Sequence, residues 1–166
     1  MRAWLLLLLV ALAPWFSGCG VYSFSGATIE GKDINIHLLD NKAQNVMPSL
    51  AATLTDKLRS RILSQTGLRP VTKDDADYDL KGAITGYNTV VTAATNVQTA
   101  TKNRLTVTIS VDFRNSKNDK ASFTQSFSRF ADYDASQSLQ AVEGTLIEDI
   151  GSQLADDIFN KAFVNW

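Results

Sequence analysis

The chain has 166 residues, with 16 Lys and Arg against 17 Asp and Glu and a single His, a length that suits one domain. A sequence pI near 5.7 with no basic run leaves no electrostatic footprint for a nucleic-acid partner. One Cys rules out an internal disulfide framework, and one Cys with one His cannot build a Cys/His zinc site, so no metal is expected.

Met1-Arg2 carries one positive charge and Leu5 to Ala13 is an unbroken apolar run, the two parts of a secretory signal. The stretch from Ala3 to Phe16 is shorter than the roughly 18 residues of a spanning helix. It runs into Phe16-Ser17-Gly18-Cys19, which resembles the lipobox of bacterial lipoproteins, with Phe where Leu is more usual. That resemblance implies cleavage after Gly18 and a covalent diacylglycerol and N-acyl lipid on Cys19, with no other cofactor. Two such chains meet the requirement for stable anchoring. Ordinary cleavage after Gly18, with Cys19 an idle thiol, is the other reading. The position of the only Cys at the one place a lipobox needs it favours the first. The expected organisation is a signal peptide over 1–18, a lipid-anchored segment over 19–30 and one domain over 31–166. No acidic cluster follows Cys19, so a periplasm-facing site is the default.

Within the domain, Ile34, Ile36 and Leu38 alternate with Asn35 and His37 as a short half-buried strand. Asn45 and Pro48 mark a helix start, Pro being tolerated in the first turn. Leu50, Leu54, Leu58 and Ile62 then form one stripe, with Gly67 as the C-terminal stop and Pro70 forbidding continuation. An acidic loop over Thr72 to Asp77 leads to a strand through Tyr78, Leu80, Gly82 and Ile84, which Gly82 and Gly86 weaken or bulge. The segment from Thr89 to Lys102 is rich in Thr, Ala and Asn and shows no clear edges.

The plainest element follows. Leu105, Val107, Ile109, Val111 and Phe113 share one face of a strand, and Arg104, Thr106, Thr108, Ser110, Asp112 and Arg114 share the other. Such unbroken alternation indicates a sheet covered on a single side. After a polar turn over Asn115 to Lys120, Phe123, Gln125 and Phe127 begin a return strand. Phe130 breaks its parity, which predicts a bulge or strand end near Ser128-Arg129. Asp134 and Gln137 resemble a capping box, and Leu139, Val142, Leu146, Ile150, Leu154 and Ile158 stripe a last helix, which Gly144 and Gly151 weaken. The fold class is α+β, in the order βαβββα. Two helices pack on one face of a four-stranded mixed or antiparallel sheet, and the other face is left open.

This order behind a lipobox resembles the LptE-like family of lipopolysaccharide-assembly lipoproteins. The residues that carry the resemblance are Cys19-Gly20-Val21-Tyr22-Ser23-Phe24-Ser25-Gly26, Asn103-Arg104-Leu105-Thr106-Val107, the stretch Phe127 to Tyr133, and Ile158-Phe159-Asn160. The resemblance implies an outer-membrane protein facing the periplasm and the lumen of a large β-barrel, LptD. It would plug that barrel, help it assemble and contact lipopolysaccharide, without covalent chemistry. A Thr/Ser/Arg-rich sheet face suits the polar lumen of a wide barrel, although any secreted α+β protein wets one face of its sheet.

Lipopolysaccharide presents phosphates, which makes Lys102, Arg104, Arg114, Lys117 and Lys120 candidate contacts; charges that keep a hairpin end soluble are the plainer alternative. Arg104 alone also matches the family pattern. Phe159, Phe163 and Trp166 read as core or helix-end packing, with Trp166 equally suited to a partner contact. His37 lies on the polar side of its strand with no catalytic constellation around it and no G-x-S-x-G in the chain. Asp74, Asp75, Asp77 and Asp79 lack the spacing and the turn Gly of a calcium loop. Two other functions compete: a pilot or activator lipoprotein of another envelope assembly, and a lipid-tethered hydrolase, for which no nucleophile–base pair presents itself.

Overall fold

A computed structural model of the protein describes residues 29–44, 47–92 and 102–164. Their order is β1 (Asp33–Ile36), β2 (Asp40–Asn41), α1 (Leu50–Thr66), β3 (Arg69–Pro70), β4 (Tyr78–Thr92), β5 (Lys102–Asn115), a 3-10 turn (Asp119–Ala121), β6 (Phe123–Asp134), α2 (Leu139–Phe159) and a closing π-helical turn (Asn160–Val164). The α+β class and the order of the major elements are as the periodicity indicates. The sheet has six strands instead of four because two-residue pieces, β2 and β3, add to it. Its path is β3-β1-β4-β5-β6, with β2 on β4. The sheet is mixed: β1 lies parallel to both β3 and β4, whereas β4, β5 and β6 form an antiparallel meander.

Alternation in β5 fixes the layering. Leu105, Val107, Ile109, Val111 and Phe113 are all buried and meet the stripes of the two helices, Leu50, Leu54, Leu58 and Ile62 from α1 and Leu146, Ile150, Leu154 and Ile158 from α2, in one core. Gly67 ends α1 at φ 66° and returns its N–H to the carbonyl of Leu63 at 3.3 Å, the left-handed stop that Gly takes without steric cost. Gly151, expected only to weaken α2, has a second role. A Cβ there would stand 3.1 Å from Leu54 Cδ2, so a side chain at 151 would press on Leu54 where the two helices meet. Lys57 pairs with Glu148 and Arg61 with Asp156 (2.8 Å) across the same crossing.

Four expectations are corrected. The first strand stops at Ile36, and Leu38 turns out to solvent at 64% exposure while Leu39 goes into the core; Thr55 Oγ1 accepts the Leu39 N–H at 3.1 Å and holds that turn. Pro48 precedes α1, which begins at Leu50 after Ser49; Asn45 lies outside the described residues. There is no capping box at α2. Asp134 is the last residue of β6 and receives the Ser136 N–H at 2.8 Å, and Ser138 takes the N-cap position. Finally, β6 pairs with β5 from Phe123 to Asp134 without a register shift. Phe130 does not break parity; it is an exposed aromatic residue on the polar face. The bulge lies in β4 between Ile84 and Gly86, beside one of the glycines that signalled it.

Candidate functional site

The face of β4–β5–β6 turned away from the helices is the candidate surface. Its middle is a run of small hydroxyl side chains, with Thr108 and Ser110 on β5 facing Ser128 and Ser126 on β6 and Thr106 next along β5 facing Phe130; the Thr108 and Ser128 hydroxyls are 3.0 Å apart. Charged groups gather at the two ends of β5. Arg104 and Arg114 are ten positions apart on that strand, about 33 Å at the usual rise. The five predicted basic residues are therefore not one site: Lys102 and Arg104 stand at one end, and Arg114, Lys117 and Lys120 at the other.

At the first end Arg104 faces Asp132 directly across the ladder. Its Nε and Nη2 donate to the two carboxylate oxygens of Asp132 at 2.6 and 2.9 Å, and its guanidinium carbon lies 3.6 Å from the ring centroid of Phe130. This pairing raises the Arg104 pKa further and holds the Asp132 carboxyl below the ordinary carboxylate range. Val90, opposite Arg104 on β4, and Phe130 are both exposed. Lys102 faces Asp134 two ladder pairs further out, the next pair on this face. Asp132 and Phe130 are the parts of this cluster that residue-by-residue reading missed. The signal was present in the hairpin register, which places Asp132 against Arg104 once β6 is read as unbroken.

At the other end the loop between β3 and β4 folds over the strands. Asp77 is its hub: its carboxylate accepts the Lys32 N–H at 2.7 Å and pairs with Lys117 Nζ at 2.8 Å, and its own N–H goes to Asp33 at 2.9 Å. Lys117 is the main cause that lowers the Asp77 pKa, and Asp77 raises that of Lys117 in return. The Asp77 N–H is the main cause that lowers the Asp33 pKa. His37 Nε2 lies 2.7 Å from Asp79, whose second oxygen meets Lys81 at 3.1 Å. Arg114 is only loosely paired, 3.9 Å from Asp112, and Lys120 sits in the exposed 3-10 turn. Asp79, Lys81, Asp112 and Arg114 line a concavity of about 780 Å³ of mixed charge.

Phe159 and Phe163 are buried in an aromatic cluster with Tyr78 and Phe113. Cys19 and Trp166 lie outside the described residues. Among the described residues no group of three or more His, Cys, Asp and Glu could hold a metal ion, and no helix is long and apolar enough to cross a membrane.

A family model described as LptE, lipopolysaccharide-assembly, matches residues 32–162, from the foot of β1 into the closing turn. The chain belongs to the LptE family. It is thus a lipopolysaccharide-assembly lipoprotein of the cell envelope. Among solved structures, a minor lipoprotein from Acinetobacter baumannii is 15% identical, with 80% of this chain and 93% of that one covered at a TM-score of 0.52. A hypothetical protein from Chlamydia trachomatis is 7% identical, with 80% and 98% covered at 0.54. At such identities these two show the LptE chain's fold alone. A comparison with curated proteins finds no match.

Proposed function

We propose that this LptE-family chain is a subunit of the lipopolysaccharide export machine, held at the outer membrane by lipid on Cys19 and seated inside an LptD-like β-barrel. It helps that barrel assemble, contacts lipopolysaccharide and does no covalent chemistry. The observation that carries the reading is the division of β5 into a buried apolar face and an open face of hydroxyl and charged groups. A polar lumen offers hydrogen-bonding partners to such a face, and a large apolar face would suit it badly. The basic residues contribute as two separate sets at the two ends of the sheet, with Arg104 the one that also fits the family pattern.

The test is gentle detergent solubilisation of outer membranes carrying a tagged chain, followed by mass spectrometry of what co-purifies. A stoichiometric large β-barrel supports the proposal, and a secretin-like or cell-wall partner overturns it. Cys19→Ser is expected to release the protein from the membrane fraction. Replacing Lys102, Arg104, Arg114, Lys117 and Lys120 together with Gln is expected to weaken lipopolysaccharide binding, and unchanged binding would remove these residues from the contact.

A further inference from the structure

We infer that Asp132 is a built-in competitor for the phosphate of an anionic glycolipid at Arg104, so that binding at this end of the sheet proceeds by exchange of one anion for another. This rests on the reading that lipopolysaccharide meets the open face.

A guanidinium offers a carboxylate or a phosphate its planar edges, each with two N–H groups in a fork. In Arg104 the edge formed by Nε and Nη2 is fully taken by the two oxygens of Asp132. An incoming phosphate therefore displaces the carboxylate or binds the remaining edge within a few ångströms of it. In both cases the Asp132 charge opposes the ligand. The support beneath Arg104 does not depend on Asp132. Phe130 occupies the next position on this face, opposite Thr106 two ladder pairs along, and its ring underlies the guanidinium. The cation is thus held over the sheet whichever anion it faces, and exchange does not require the long side chain to be ordered again. Exposed Val90 flanks Arg104 on the opposite side from Asp132, so an apolar surface lies beside the fork, as an acylated ligand requires. Lys102 and Asp134, the other charged groups at this end, face each other across the ladder.

The expected size is modest, because an exposed ion pair is worth at most about 1 kcal/mol, or about fivefold in affinity. The measurement is binding of the full chain in detergent to three probes: lipopolysaccharide, the same material dephosphorylated, and phosphatidylglycerol micelles. Asp132→Asn is expected to tighten lipopolysaccharide binding by about threefold to fivefold, with Asp132→Ser as a second variant should the first perturb the hairpin. The gain is expected to vanish on dephosphorylated material and in an Arg104→Gln background, where the competitor has nothing to hold. If Arg104→Gln weakens binding while both Asp132 variants bind as the parent does, the exchange is overturned and the lipopolysaccharide reading stands. If neither Arg104 nor Asp132 variants change binding, the reading of this end as a lipopolysaccharide contact falls, and the competitor with it. A gain confined to phosphatidylglycerol overturns the glycolipid as the ligand.

Discussion

The two ends of β5 carry similar charges and are built in opposite ways. At the Phe113 end the inner face of the strand is packed with rings: Tyr78, Phe113, Phe123 and Phe163 lie at centroid distances from 5.4 to 5.9 Å. The β3–β4 loop is tied down beside it, against Asp33 of β1 and Lys117, through Asp77, while Asp112 and Arg114 on the outer face stay open to solvent. At the Lys102 end the exposed Val90 and Val91 mark where β4 runs out from under the helices, and Arg104 rests on Phe130 in the open. The first arrangement uses charge to fasten loops to a packed core. The second presents a paired charge on an exposed aromatic ring, on the outer side of a ladder whose inner residues Leu105, Ala131 and Tyr133 are buried. Counting basic residues at each end does not reveal this difference; their partners do.

The sharpest way to break the comparison is to empty the closed end. Phe113→Ala should cost about 3–5 kcal/mol in denaturant unfolding, since the ring is fully buried and its neighbours belong to three other elements. A loss below about 1 kcal/mol would mean that the aromatic cluster does not hold the fold. Asp77→Asn should lower the thermal midpoint by less than Phe113→Ala does, because the Lys32 N–H and Lys117 lose a charged acceptor while the core stays filled. It should also blunt the acid response. Asp33 and Asp77 have folded pKa values below their ordinary ones, so near pH 4 the unfolded chain binds more protons than the folded one, and stability falls as pH drops. That contribution is complete above about pH 5 and declines through the folded pKa values. A stability curve flat between pH 5 and pH 3 would contradict it. The smallest effect belongs to the open end, where Val90→Ser should stay within about 0.5 kcal/mol of the parent. A larger loss would show that the exposed end is part of the core after all.

Much of the fold was legible because the helices and β5 each present one wet face and one dry face, so their periods report burial directly. The meander, the stripe of α1, the Gly67 stop and the bulge beside Gly86 all follow from local pattern. The small strands were not legible. Asp40–Asn41 and Arg69–Pro70 have no alternation to show, and they join the sheet only because β1 and β4 bring ladder edges to them. Phe130 misled for a related reason. Hydrophobicity stood in for burial, although its exposed ring serves as a floor for Arg104. The candidate site was half legible: the basic residues stand out in the sequence, but their acidic partners are set by register and by a loop crossing over the sheet, which no local window contains.

The position of β1 also bears on how the protein folds. It is inserted between β3 and β4, and both of these follow α1 in the chain, so β1 has no neighbouring strand nearby in sequence. The β4–β6 meander with α2 is built from short connections, and closing a short loop costs less entropy than closing a long one. The C-terminal part of the chain is therefore expected to assemble first, with β1 slotting in last and completing the sheet from the middle. In hydrogen-exchange refolding, amides of β5 should gain protection before those of Ile34 and Ile36. The opening strand of the sequence would then be the closing step of folding.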